Sequence, residues 1–152
     1  MKKMGNIYKH PTYNHLLPDC YIFDIDGTLA HMQNHRGPFE WSKVHLDEVD
    51  DLMVRILNTL RETNKIIIVS GRDGSCRELT SKWLYNNKIK YDLLFMRPTK
   101  DYRKDNEIKE EIYNNHLKDK YNILGVFDDR QQVVDMWRSL GLKCFQVEPG
   151  NF

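Results

Sequence analysis

Short apolar runs alternate along this chain with stretches of helical period, and that alternation predicts most of its elements. Residues 1–19 show neither pattern and carry Pro11 and Pro18, so they are expected to form a loose N-terminal arm. Then Cys20, Tyr21, Ile22 and Phe23 run into Asp24, which predicts a buried strand over 20–25. Val49, Leu52, Met53, Ile56, Leu57 and Leu60 share one face of a helix expected over 46–63. The β-branched run Ile66–Val69, bounded by Asn64 and Gly71, predicts a second strand near 65–70. A helix over 75–87 and a strand near 91–96 come next. Ile108, Ile112, Tyr113 and Leu117 mark a helix over 104–118, and a fourth strand is expected near 122–127. Val133, Val134, Trp137 and Leu140 lie on one face of a helix that Gly141 stops, and the segment from Lys143 to Val147 forms a last strand. Strand and helix alternate throughout. The expectation is an α/β fold, a parallel sheet with helices on both faces, filling 20–152 as one domain.

Composition alters this picture little. A chain of 152 residues can bury one core, and 40% hydrophobic with 30% charged residues is an ordinary globular balance. The formal net charge of +1 supplies no global field that demands a nucleic-acid or membrane partner. Cys20, Cys76 and Cys144 are an odd number without metal-ligand spacing, and Cys20 and Cys144 lie in strand-like runs. Reduced, buried thiols are expected, as in a cytoplasmic protein. The first residues hold two lysines but no apolar stretch after them, and no run reaches the length of a membrane span.

In open α/β sheets ligands bind outside the carboxyl ends of the strands. The residues just past each apolar run therefore matter most. The first run ends in Asp24-Ile25-Asp26-Gly27-Thr28, the second in Ser70-Gly71-Arg72 and the fourth in Asp128-Asp129-Arg130. Asp105 and Lys109, four apart, share a helical face near its N-terminus. Carboxylates gathered at one edge repel unless a cation joins them, and hard oxygen ligands select magnesium. An Asp beside that metal can attack phosphorus, with Lys109 and Arg72 neutralising phosphoryl oxygens. A carboxyl two residues on can protonate the leaving oxygen and then activate water, and Gly27 lets the chain turn sharply after it.

Each piece alone has a plainer reading. The Asp24–Thr28 segment resembles a calcium-type loop or a capped turn, Ser70–Arg72 a turn, Asp128-Asp129 a helix cap, and Asp105–Lys109 a solvated ion pair. Jointly those readings fail, because all four pieces are expected on one edge.

In order along the chain, the segments DIDGT, VSGR, Lys109 on its helix and FDD resemble the four motifs of the haloacid-dehalogenase superfamily of phosphatases. Longer segments, DIDGTLAHMQNHRGPFEW, VSGRDG, RKDNEIKEEIYNNH and FDDRQQVVDMWRSLGLKCFQVEPGNF, resemble the 3′-phosphatase domain of bacteriophage polynucleotide kinase/phosphatase. The resemblance spans nearly all of the chain from residue 20. It implies Asp24 as nucleophile and Asp26 as general acid/base. It implies magnesium held by Asp24, a backbone carbonyl of Asp26, Asp128 and Asp129. Ser70 and Lys109 would grip phosphate, Thr28, Arg36, Gly71 and Arg72 would line the substrate, and Asp105 would complete the catalytic set. The sequence departs from that family in two ways. No G-x-x-x-x-G-K-[ST] phosphate loop occurs, so a kinase or ligase partner would be separate from these residues. The stretch between Asp26 and Arg36 is also longer than expected and carries His31 and His35, expected to be solvated rather than metal ligands.

No segment is long enough for a large cap over the site, and an open site suits the 3′ end of a polymer. Trp41 beside Phe39 is the expected exposed ring for stacking a base, whereas Trp137 belongs to a core face. Three functions are compatible: a polynucleotide 3′-phosphatase, a nucleotidase, and a nucleic-acid-binding module with a dead site. The full set of catalytic residue types disfavours the last.

Overall fold

The computed structural model describes residues 12–152; the expected N-terminal arm therefore lies mostly outside the described residues. Five strands form the main sheet: β1 (Asp19–Phe23), β4 (Lys65–Asp73), β5 (Leu93–Arg97), β6 (Asn122–Asp128) and β7 (Cys144–Gln146). Their order is β5-β4-β1-β6-β7, and every pairing is parallel. Helices α1 (Asp51–Leu60), α2 (Arg77–Asn86), α3 (Asp105–Ile112) and α4 (Gln131–Ser139) make the crossovers. The expected parallel α/β sheet is what forms.

Burial explains the arrangement. In β4, Ile66 through Ser70 are buried without a break, as a strand covered on both faces requires. Cys20, Ile22, Ile67 and Val69 pack under α3 and α4 with Trp137. Phe23, Ile66 and Ile68 face the other way, toward Met53 and Leu57 of α1 and Trp83 and Leu84 of α2. Truncating Ile67 to Ala would cost on the order of 2–5 kcal/mol in such a core.

Several bounds differ from the sequence-based expectations, each for a local reason. The helix expected over 46–63 starts at Asp51, because the Asp50 carboxylate accepts the Met53 amide at 3.0 Å and caps it. The residues before it form a 3₁₀ helix, Trp41–Leu46, and the short strand β3 (Glu48–Val49). β3 pairs antiparallel with β2 (Ala30–His31), and such two-residue strands have no periodic signature. β4 runs three residues further than expected, to Asp73, through a register shift against β5. The helix over 104–118 ends as a π turn, Tyr113–Leu117. Before β1, the Asn122 side-chain amide donates to Asn14 O and Leu17 O at 2.8 and 2.9 Å, clasping that segment to the sheet. Among the described residues no cap domain is inserted and no helix is long and apolar enough to cross a membrane. Cys20, Cys76 and Cys144 are all free and buried.

Candidate active site

β1, β4 and β6 end side by side, and their carboxyl ends bring the motif residues together. Asp24 leaves β1 with its amide bonded to Phe127 O at 2.9 Å, so its backbone stays in line with the sheet. The chain then folds back tightly, with the amides of Thr28, Leu29 and Ala30 all donating to Ile25 O. Gly27 makes the turn at φ +81°, and a Cβ there would lie 1.9 Å from Asp129 Oδ2. A side chain at Gly27 would thus strain the backbone and push on Asp129.

Lys109 is the centre of the inner site. It reaches inward from α3 and is 1% exposed, so a solvated Asp105–Lys109 pair is not what forms. Its Nζ donates to Asp24 Oδ1 at 2.8 Å and Asp128 Oδ2 at 2.9 Å, with Asp105 Oδ2 at 3.7 Å. Burial works against its charge, but Asp128, Asp24 and Asp105 outweigh it and hold the ammonium protonated well above the usual lysine range. Trp137 Nε1 donates to Asp128 Oδ2 at 3.2 Å, and the Asp129 amide to Asp128 Oδ1 at 2.9 Å. Neither Asp128 nor Asp129 caps α4, whose N-cap is Arg130.

One ammonium among these carboxylates leaves negative charge uncompensated. Oxygens of Asp24, Asp128 and Asp129 lie within 4.8 Å of one another, and all three residues are buried. Burial, then the Asp128 charge, pushes the Asp24 carboxyl well up. The same two causes push Asp129 up to about 6. Buried hard oxygen donors with surplus negative charge fit a divalent cation such as magnesium. The carboxy-terminal segment braces this corner. Gln146 Nε2 donates to Asp129 O at 3.1 Å, the Gln131 amide to Gly150 O at 2.8 Å and Arg130 Nε to Phe152 O at 2.6 Å. A Cβ on Gly150 would lie 2.1 Å from Asp129 O, so the tail passes directly against the loop.

The remaining motif residues line the opening. Thr28 Oγ1 donates to Asp24 Oδ2 at 3.3 Å. Ser70 Oγ accepts from the Arg72 amide at 3.1 Å. Gly71 is packed so closely that a Cβ would sit 1.7 Å from Asp105 Oδ1. Asp105 also faces Arg97 at 3.6 Å.

Asp26 stands on the other side of Asp24, in a second ionic group. Arg72 forks it, Nε to Oδ2 at 3.0 Å and Nη2 to Oδ1 at 2.8 Å, and Arg36 Nη2 donates to Oδ1 at 3.1 Å. Both guanidinium groups are fully buried, and both also bond Asp47, which no sequence motif singled out. In its segment, Leu46-Asp47-Glu48-Val49-Asp50-Asp51, Asp47 reads as one more surface acid. His31 and His35 are partly buried instead of solvated. Each bonds a carboxylate, His31 to Asp50 at 2.9 Å and His35 to Asp47 at 2.8 Å. Phe39 is 81% exposed and meets the Trp41 ring edge-on at 6.1 Å, while Arg36 lies 5.9 Å from the Trp41 centroid. Trp137 is in the core, as its helical face predicted.

Comparison with known proteins agrees with this geometry. The family described as the polynucleotide kinase PNKP phosphatase domain matches residues 18–152. A putative bifunctional polynucleotide kinase/RNA ligase of Autographa californica nuclear polyhedrosis virus is 34% identical over 142 residues, 91% of this chain and 20% of that protein. A chain of the Pnkp1/Rnl/Hen1 RNA repair complex superposes with a TM-score of 0.91 at 40% identity, covering 99% of this chain and 48% of its own. A haloacid dehalogenase-like hydrolase from Streptococcus pneumoniae shares the fold, with a TM-score of 0.59 at 11% identity over 85% of this chain and 84% of its own. The described polypeptide thus spans a fifth of the viral protein and about half of the repair-complex chain.

Proposed function

The chain belongs to the polynucleotide kinase PNKP phosphatase-domain family, and from that premise we propose that it is a magnesium-dependent polynucleotide 3′-phosphatase. The observation that carries the reading is the buried Asp24–Lys109–Asp128–Asp129 cluster at the carboxyl ends of β1 and β6. Asp24, Asp128 and Asp129, with a backbone carbonyl of Asp26, would hold magnesium, which supplies charge neutralisation for the phosphoryl group when bound.

This chain's own residues account for the rest. Thr28 and Lys109 fix the Asp24 carboxylate, and Lys109, already charged, offers its remaining donor capacity to a phosphoryl oxygen. Ser70, with Gly71 beside it, lies at the end of the neighbouring strand to receive other phosphate oxygens. Asp24 attacks phosphorus; the bond from phosphorus to the nucleoside 3′ oxygen breaks, and that oxygen takes the proton of Asp26. Asp26, now a carboxylate, then takes a proton from water as the water oxygen attacks phosphorus. The Asp24–phosphorus bond breaks and inorganic phosphate leaves. Arg36 and Arg72 hold Asp26 for both steps. Asp105 keeps Lys109 charged. A site without a cap admits a strand end, and a kinase or ligase acting on the healed end is the expected partner activity.

The test is phosphate release from one short strand carrying the phosphate at its 3′ or its 5′ end, beside nucleoside 3′- and 5′-monophosphates, with magnesium or with chelator. Magnesium-dependent release from the 3′ end is expected, and Asp24→Asn should abolish it. Hydrolysis confined to 5′-mononucleotides would replace this reading with a nucleotidase. Full activity in chelator would remove the metal from it.

A further inference from the structure

Asp47 has the environment of a residue built for a task rather than for packing alone. Its side chain is wholly buried, yet all its oxygen capacity is spent on cations that lead to the site. Oδ1 accepts from Arg36 Nε at 2.7 Å and from His35 Nε2 at 2.8 Å. Oδ2 accepts from Arg36 Nη2 at 2.9 Å and from Arg72 Nη2 at 2.7 Å. The same two Nη2 atoms hold Asp26 Oδ1, at 3.1 and 2.8 Å. Asp26, Arg36, Asp47 and Arg72 therefore close a ring of alternating charge, with one carboxylate buried and the other, 32% exposed, facing the site.

The ring has a direction. Asp47 is anchored at the inner end, where its backbone carbonyl accepts Trp83 Nε1 at 2.9 Å. Thr80 Oγ1 fixes the far side of Arg72 by accepting Nη1 at 3.1 Å. Asp26 has no such anchor of its own beyond the two guanidinium groups. Its Oδ1 accepts twice, whereas Oδ2 accepts only from Arg72 Nε at 3.0 Å. Oδ2 is thus the oxygen with capacity left for a proton and for the leaving oxygen.

We propose that Asp47 is a positioning residue of the phosphatase reaction, holding Arg36 and Arg72 in the one arrangement that aims Asp26 Oδ2 at the leaving group. The inference rests on Asp26 being the acid/base of the proposed reaction. Without Asp47 the Arg36 fork loses its target, and both guanidinium groups are free to close on Asp26 alone. A buried planar fork without its carboxylate partner rearranges, because its donors cannot remain unpaired. Misplacement by about 1 Å costs a reacting group on the order of 100-fold in rate.

The leaving group separates aiming from folding. A nucleoside 3′ oxygen needs the Asp26 proton to depart, whereas p-nitrophenolate departs without one. Asp47→Asn keeps the shape and one acceptor oxygen. Release of the nucleoside end from a 3′-phosphorylated oligonucleotide should slow roughly 100-fold in kcat, with KM changed only a few-fold. With p-nitrophenyl phosphate, a rapid-mixing experiment should show a first-turnover burst of nitrophenolate within a few-fold of the parent rate. Slow steady-state turnover should come after it, since Asp26 must still activate water. Arg36→Lys, which keeps charge but cannot fork, should reproduce the pattern and carries the test if Asp47→Asn loses its cooperative melt. Equal loss of the burst and of oligonucleotide turnover in a folded variant would overturn the proposal, as would full activity on both substrates. If the parent cleaves p-nitrophenyl phosphate and an alkyl phosphate but no 3′-phosphorylated end, the substrate reading fails. The alkyl phosphate then serves for the same comparison.

Discussion

Asp129→Asn should stabilise the metal-free protein while destroying its response to magnesium. Burial, then the neighbouring Asp128 charge, raises the Asp129 carboxyl from its ordinary 3.8 to about 6. A raised pKa means that the folded protein holds this proton more tightly than the unfolded chain does. The associated stability is complete below about pH 3.8 and is lost as pH rises through about 6. That separation corresponds to about 3 kcal/mol, lost in full at neutral pH when no cation replaces the proton. An Asn side chain stays neutral throughout and does not incur it. In chelator at pH 7.5 the variant should therefore exceed the parent by up to about 3 kcal/mol, roughly 6–12 °C in Tm for a chain of this size. Near pH 4 the difference should close. Magnesium at 100 times its Kd should add about 2.7 kcal/mol to the parent and far less to the variant. Thermal melts at both pH values, with chelator and with magnesium, read all of this. A variant that melts below the parent in chelator at pH 7.5, or a gap unchanged at pH 4, would refute the electrostatic account.

Trp137→Phe removes the indole donor to Asp128 while keeping most of the core volume, so magnesium affinity should fall about 10-fold, read from activity against magnesium concentration. An unchanged titration would mean that this bond does not orient Asp128. Gly71→Ala must move Asp105, because the added Cβ would lie 1.7 Å from its Oδ1. Turnover should drop roughly 100-fold with a cooperative melt retained; normal turnover would show that Asp105 can shift without consequence. Phe39→Ala removes an exposed ring beside Trp41, so KM for a 3′-phosphorylated strand should rise roughly tenfold with no change in Tm. An unchanged KM would exclude base stacking there.

The sequence by itself determined the sheet and the edge where the chemistry gathers. Unbroken apolar runs such as Ile66–Val69 can be satisfied only between two layers of helices, and the acids that end the runs at Asp24 and Asp128 then fall on one edge. Periodicity placed Trp137 in the core for the same reason, since four apolar residues on one helical face must be covered. Tertiary structure alone decided which charges meet. Lys109 lies far along the chain from Asp24, and nothing local distinguishes a lysine that turns inward from one that pairs with Asp105 in water. The short pairing of Ala30 with Val49 has no period to read, and it is this pairing that brings the segment carrying Asp47 back over Arg72. Asp47 stands in an acidic run that looks like a solvated face, and His31 and His35 stand in what looks like a loop. Their burial comes from partners distant in sequence. Hydrophobic pattern is a property of neighbours along the chain, whereas a compensated buried charge exists only when the fold brings its counter-ion to it.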